Sequence, residues 1–162
     1  MLAPAMVALV GLSACDHDHR DDLVVERINP ETLARSSAFS QVTTVSGDAK
    51  FVFVAGQTDR APDVGGCRHD DWRGQIIGVR ENVENGLAAA GATWDDVVFI
   101  RRYVVDIPAY LAVRSDQQNP LPEIWQTREP PPSTLIEVSA LAAPCYLVEI
   151  DVFAVVQADE DD

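Results

Sequence analysis

Lysine is all but missing from this 162-residue chain, where Lys50 stands alone beside eleven arginines. A Schiff-base mechanism therefore has one candidate amine, and Lys50, set between a turn and an apolar run, reads as a solvated surface residue. Cysteine is nearly as scarce. Cys15, Cys67 and Cys145 stand at spacings that match no zinc or thiol-redox pattern. Cys67, in a loop, and Cys145, at the entry to a strand, are read as free thiols. No glycine-rich phosphate loop occurs, since Gly65-Gly66 is an isolated pair, and no Ser/His/Asp set can be defended. The Asp16-His17-Asp18-His19 run lacks a third metal anchor and reads as solvated linker, while His69 reads as a loop residue before a helix. No metal and no cofactor is expected.

Positive charge is the other shortage. Twelve basic residues against 26 acidic ones give a formal charge of −14. Asp16, Asp18, Asp21 and Asp22 near the start and Asp159 to Asp162 at the end carry part of it, leaving about −7 on the body. A surface of that sign repels phosphate backbones and argues against nucleic-acid partners. An apolar fraction of 47% against 23% charged is that of a globular chain, and the length suits one domain.

The opening run, MLAPAMVALVGLSA, has no charge at all. It ends in Leu12-Ser13-Ala14-Cys15, which resembles the lipobox of bacterial lipoproteins, where the chain is cut before a cysteine that then carries a diacylglyceryl group. The run is too short to span a bilayer, which takes roughly 20 apolar residues, and it lacks the basic n-region of a signal peptide. Two readings stand: a membrane-anchored envelope lipoprotein lipidated at Cys15, or a cytoplasmic protein with a mis-assigned start. Residues 1–22 are thus the signal-like segment and acidic linker, 23–156 the folded domain, and 157–162 an acidic tail.

Within the body, periods of two and 3.6 alternate. Residues 39–45 read as a strand, Ser46-Gly47-Asp48 as a turn, and 50–57 (KFVFVAGQ) as a strand buried on both faces. Trp72, Ile76, Val79, Val83, Leu87 and Ala90 form one stripe of an amphipathic helix. Asp70 or Asp71 is placed to cap its start and Gly91 to end it. Residues 97–105 form the next strand, and Pro108 opens a second helix on which Tyr110, Val113 and Gln117 share a face. Asn119-Pro120-Leu121-Pro122 breaks that helix, with a short piece to follow over 123–128. Strands at 133–138 and 146–156 close the order ββαβαββ, an α+β domain with two helices on one face of a single mixed sheet.

Five segments, in order, carry a family resemblance: Phe39-Ser40-Gln41; Val54-Ala55-Gly56-Gln57; Ala89-Ala90-Gly91-Ala92-Thr93-Trp94-Asp95-Asp96-Val97-Val98; Pro131 to Val138; and Val148-Glu149-Ile150-Asp151-Val152. Together they resemble the RidA/YjgF family over residues 38–156. The resemblance implies a chorismate-mutase-like fold, a homotrimer with a barrel-like core, and small-molecule clefts between subunits. Family members similar to the founding group hydrolyse enamines and imines, with an arginine pairing the substrate carboxylate. Here that position is Ser133, within Pro131-Pro132-Ser133-Thr134, which is similar to the version found in branches without the arginine.

The resemblance makes Glu149 the catalytic candidate that orients water, and Phe39, Gly56, Arg114, Ser133 and Thr134 the lining of the ligand pocket. Arg114 and Arg128 are the candidate arginines to replace the missing charge. On the residues alone, Glu149 and Asp151 share one strand face at i, i+2 and are read either as surface acids or as cleft acids. The functions implied are a hydrolase of enamines, imines or related C–N bonds, or a non-catalytic trimer that binds a small ligand in the same clefts.

Overall fold

The computed structural model describes residues 21–63, 65–114 and 129–158. Eight regular elements follow one another: β1 (Val24–Ile28), β2 (Val42–Ser46), β3 (Ala49–Gln57), α1 (Trp72–Ala89), β4 (Val97–Val104), α2 (Ile107–Arg114), β5 (Ser133–Glu137) and β6 (Val148–Gln157). The main sheet has the order β3-β6-β4-β5. Strand β6 pairs antiparallel with both β3 and β4, while β4 and β5 run parallel. A parallel pair needs a crossover, and α2 lies in the connection that supplies it.

Helix α1 forms where its stripe was read. The Asp71 side chain accepts a hydrogen bond from Gly74 N at 3.0 Å, capping the first turn. Gly91, at a φ of +74°, turns the chain out of the helix in the left-handed region that suits glycine. Thr93 and Asp96 then form a reciprocal capping box that starts a short 3-10 turn leading into β4. Asp106 caps α2 through Ala109 N, at 2.8 Å.

The core lies between the helices and one face of the main sheet. Ile76, Val79, Val83 and Leu87 of α1 meet Val52 and Val54 of β3, Ile100 and Val104 of β4, and Val148, Ile150, Val152 and Ala154 of β6. Tyr110 brings α2 into the same cluster and sets its ring edge-on to Trp72 at 6.3 Å. Burying each such aliphatic side chain contributes roughly 1.5–3 kcal/mol.

Several expectations need correction. A strand over 24–28 was not read; it pairs antiparallel with β2 as a two-stranded sheet separate from the main mixed sheet among the described residues. Its residues are mostly exposed, so neither a core face nor a clear alternation advertises it. Strand β2 begins at Val42, because Ser40 turns away to donate from both N and Oγ to Pro130 O. Strand β3 is not buried on both faces: Val52 and Val54 are covered, while Phe51 and Phe53 are 62% and 69% exposed. The 123–128 piece, Gln117 and Arg128 lie outside the described residues.

The face of the main sheet away from the helices is therefore open and aromatic. Phe53 packs edge-on against Phe153 at 5.2 Å, and Phe99 meets the same ring at 6.0 Å. Leu87→Ala, at the centre of the helix–sheet core, is expected to lower stability by about 2–5 kcal/mol, read from the shift of a denaturant-unfolding midpoint. The exposed Phe51→Ala, in the isolated protomer, should cost far less.

Candidate functional site: a cavity beside Glu149

The alternation of β6 sends Val148, Ile150 and Val152 into the core and Glu149, Asp151 and Phe153 to the open face. Tyr103 of β4 stands directly across from Glu149, and Arg101 across from Asp151. On the other side, β3 breaks its register with β6 between Val54 and Gln57. Gly56 sits at that bulge and leaves the space the Glu149 carboxyl fills. A Cβ on Gly56 would come within 2.8 Å of Glu149 Cδ and closer still to Oε1.

A cavity of about 350 Å³ opens here, lined by Gly56, Tyr103, Glu149 and Asp151, with Val138 and the 140–142 segment as its further wall. The two acids differ in state. Arg101 grips Asp151 with Nε at 2.9 Å and Nη2 at 2.5 Å, and its guanidinium lies over the Phe153 ring at 5.1 Å. The hydrogen bonds to Asp151 hold the Arg101 guanidinium above its usual pKa. The Glu149 carboxylate makes no hydrogen bond among the described residues. The cavity thus has one engaged carboxylate and one available to a ligand or water.

Of the residues nominated from the sequence, only Gly56 and Glu149 line this cavity. Ser133 points to the helix side of the sheet, where its Oγ accepts from Arg102 Nη1 at 2.9 Å. Arg102 itself is 5% exposed. Thr134, one residue on, lies on the open face in register with Arg101. Phe39 is half-buried at the far end, next to Ser40 and its bonds to Pro130 just before β5. Arg114 is the last residue of α2. Glu149, Gly56 and Thr134 therefore lie on the open face of the sheet and Ser133 on the helix face.

Three features were missed. Arg101 and Asp151 are fifty positions apart in sequence, so their pairing follows only from the β4–β6 register. Asp59 is fully buried and takes hydrogen bonds from Arg68 Nε at 3.0 Å and His69 N at 2.6 Å. That ties down the loop before α1, where His69 stands as read from the sequence. Cys67 and Cys145, read as free thiols, form a disulfide with Cα atoms 6.0 Å apart. The chain folds the loop before α1 onto the segment before β6, a juxtaposition no local spacing announces. Among the described residues, no three or more metal-ligating side chains cluster, and no helix is long and apolar enough to cross a membrane.

The fold is that of an α+β protein with two helices on one face of a mixed sheet. The family described as Endoribonuclease L-PSP matches residues 30–156, and the chain belongs to it. The Rid-family protein YyfB of Yersinia pestis, described as of unknown function, is 30% identical, with 82% of this chain covering 98% of that one at a TM-score of 0.65. Rv2704 of Mycobacterium tuberculosis, a YjgF/YER057c/UK114 family member, is 29% identical over 82% of this chain and 100% of its own, at 0.52. YyfA of Yersinia pestis, of the same Rid family, is 27% identical over 82% and 100%, at 0.53. None of the curated proteins matches the sequence.

Gly56→Ala is expected to displace the Glu149 carboxyl from its place and to cost about 1–3 kcal/mol as an overpacked contact. A denaturation midpoint measures the cost, and the Glu149 side-chain carboxyl resonance reports the displacement. Unchanged values for both would contradict the close approach.

Proposed function

We propose that the chain forms a homotrimer with small-molecule clefts between subunits, in which Glu149 orients a water for hydrolysis of an enamine, imine or related C–N bond. The observation that carries this reading is the Glu149 carboxylate itself: it faces a cavity, has no hydrogen-bond partner among the described residues, and is given room by Gly56. A carboxylate so placed accepts a proton from water as that water attacks an electrophilic carbon.

Two further features support assembly. Phe51 and Phe53 leave an aromatic surface exposed, of the kind that marks an interface. Ser133 and Glu149 lie on opposite faces of the sheet, so a neighbouring protomer is the simplest way to bring a Ser133 side against a Glu149 side. Light scattering at micromolar concentration is expected to give a trimer mass, and Phe53→Asp to dissociate it. A stable wild-type monomer contradicts the proposal.

On substrate, no basic side chain lines the described cavity, and the position of the family's arginine is Ser133. Little or no ammonia release is therefore expected from 2-aminoacrylate or imines of simple amino acids, whose carboxylate lacks its two-donor partner. Imines without a carboxylate are the preferred test substrates. Glu149→Gln should lower their turnover by about 10²-fold or more in an ammonia- or carbonyl-release assay. Turnover of 2-aminoacrylate at the level of arginine-bearing relatives would contradict the substrate reading, and turnover indifferent to Glu149→Gln the mechanism. Binding of such compounds without turnover would favour the second reading, a ligand-binding trimer. The charge of −14 sets RNA apart as a substrate despite the family's description.

For location, we propose a cell-envelope lipoprotein anchored at Cys15, which lies outside the described residues. The Cys67–Cys145 bond supports it independently of the lipobox-like run, since disulfides persist in oxidising compartments. Expression of the full gene followed by fractionation is expected to find the protein with membranes, and Cys15→Ala to release it. Soluble protein with an uncleaved N-terminus, unchanged by Cys15→Ala, overturns the proposal.

A further inference from the structure

The wall of the Glu149 cavity is held in an unusual way. Segment 138–147 joins β5 to β6, and Val138, Ala140, Leu141 and Ala142 from it face the cavity. At its start Val138 N donates to Val104 O at 2.9 Å. From Ser139 to Ala142 the segment makes no hydrogen bond to any described residue. Ala140 and Ala142 are exposed, so little burial holds it either.

What holds its far end is Cys145. Its sulfur is bonded to Cys67, 78 residues earlier. Its carbonyl accepts from Gln75 Nε2 at 2.7 Å, and Gln75 Oε1 accepts from Leu147 N at 2.8 Å. Gln75 is fully buried, and its Nε2 also donates to His69 O at 3.0 Å. Cys67 in turn precedes Arg68 and His69, which are locked onto buried Asp59. The cavity wall is thus moored, through one disulfide, to a rigid loop in front of α1. Cys145 is exposed and Cys67 half-buried, so a reductant can reach the bond.

We infer that the Cys67–Cys145 disulfide is a redox-sensitive clasp on the Glu149 cavity: oxidised, it fixes the 139–145 wall; reduced, it releases that wall while the core stays folded. A dithiol reductant attacks one sulfur, breaks the S–S bond through a mixed disulfide, and leaves as its own cyclic disulfide. Two electrons and two protons pass to the protein, giving Cys67 and Cys145 thiols. Gln75 then holds only the backbone at Cys145 and Leu147, and the unbonded stretch before them loses the covalent part of its far anchor. Segments with few buried contacts and few hydrogen bonds are the ones that open locally. The consequence for ligands rests on the proposed role of the cavity, but the clasp itself is tested without any ligand.

The experiment is hydrogen exchange on the full chain, produced under oxidising conditions, with and without dithiothreitol, alongside a Cys67→Ser/Cys145→Ser variant. Reduction is expected to speed exchange of the hydrogen-bonded Tyr146 and Leu147 amides by about tenfold or more, with α1 and the β6 core amides little changed. The double variant should show the fast pattern without reductant and ignore its addition. Three results overturn the inference: unchanged exchange at Tyr146 and Leu147, an even loss of protection across the core, or both cysteines open to alkylation in the untreated protein. Because none of these reads turnover, they are separate from a failure of Glu149→Gln to affect hydrolysis.

Discussion

The two-residue period of β6 is the constraint on which the rest depends. As an inner strand of the main sheet, paired with β3 on one side and β4 on the other, it must satisfy both neighbours and both faces. Val148, Ile150 and Val152 anchor it against α1, and this commits Glu149, Asp151 and Phe153 to the opposite side. A one-residue slip would bury the acids and expose the valines. The energy of the core therefore fixes where the candidate chemistry stands. The bulge at Gly56 and the guanidinium of Arg101 then divide the two acids: one is left open to a cavity, the other is closed into an ion pair.

That division gives the cavity its character. Asp151, almost wholly buried, is compensated by Arg101 through a two-donor contact and by the ring of Phe153 beneath that guanidinium. Removing Arg101 would leave an uncompensated, largely buried carboxylate, the costly half of a broken pair. Glu149 has no such partner, so its charge is available. The wall opposite is the least anchored stretch near the site, and a covalent bond from the other end of the fold holds it. Rigid acid and tethered wall meet in one cavity, each positioned by a different part of the chain.

Much of the framework was legible in the sequence because it obeys local periods. The stripe from Trp72 to Leu87 and the strands near 50–57, 97–104 and 133–137 stand where they were read. The Asp71 cap and the Gly91 turn need only their neighbours to be understood. What escaped depends on contacts between distant segments. The Cys67–Cys145 bond and the Arg101–Asp151 pair exist only once the sheet register and the loop before α1 are set. The exposure of Phe51 and Phe53 contradicts what a dense apolar run suggests, because one helical layer covers a single face of the sheet. Of the candidate site, the family segments located Glu149 and Gly56, which do meet. They could not tell that Ser133 faces the helices and the hydroxyl there is taken by Arg102.

In the proposed trimer the site is completed between protomers, with the Ser133 side of one sheet set against the Glu149 side of another. A crystal structure of the assembled protein measures this directly. Phe51 and Phe53 are expected to be buried against a neighbour, and Ser133 of one protomer and Glu149 of the next to border one cleft small enough for a single ligand to touch both. An assembly in which the aromatic face stays in solvent, with those two residues opening onto separate surfaces, would contradict it.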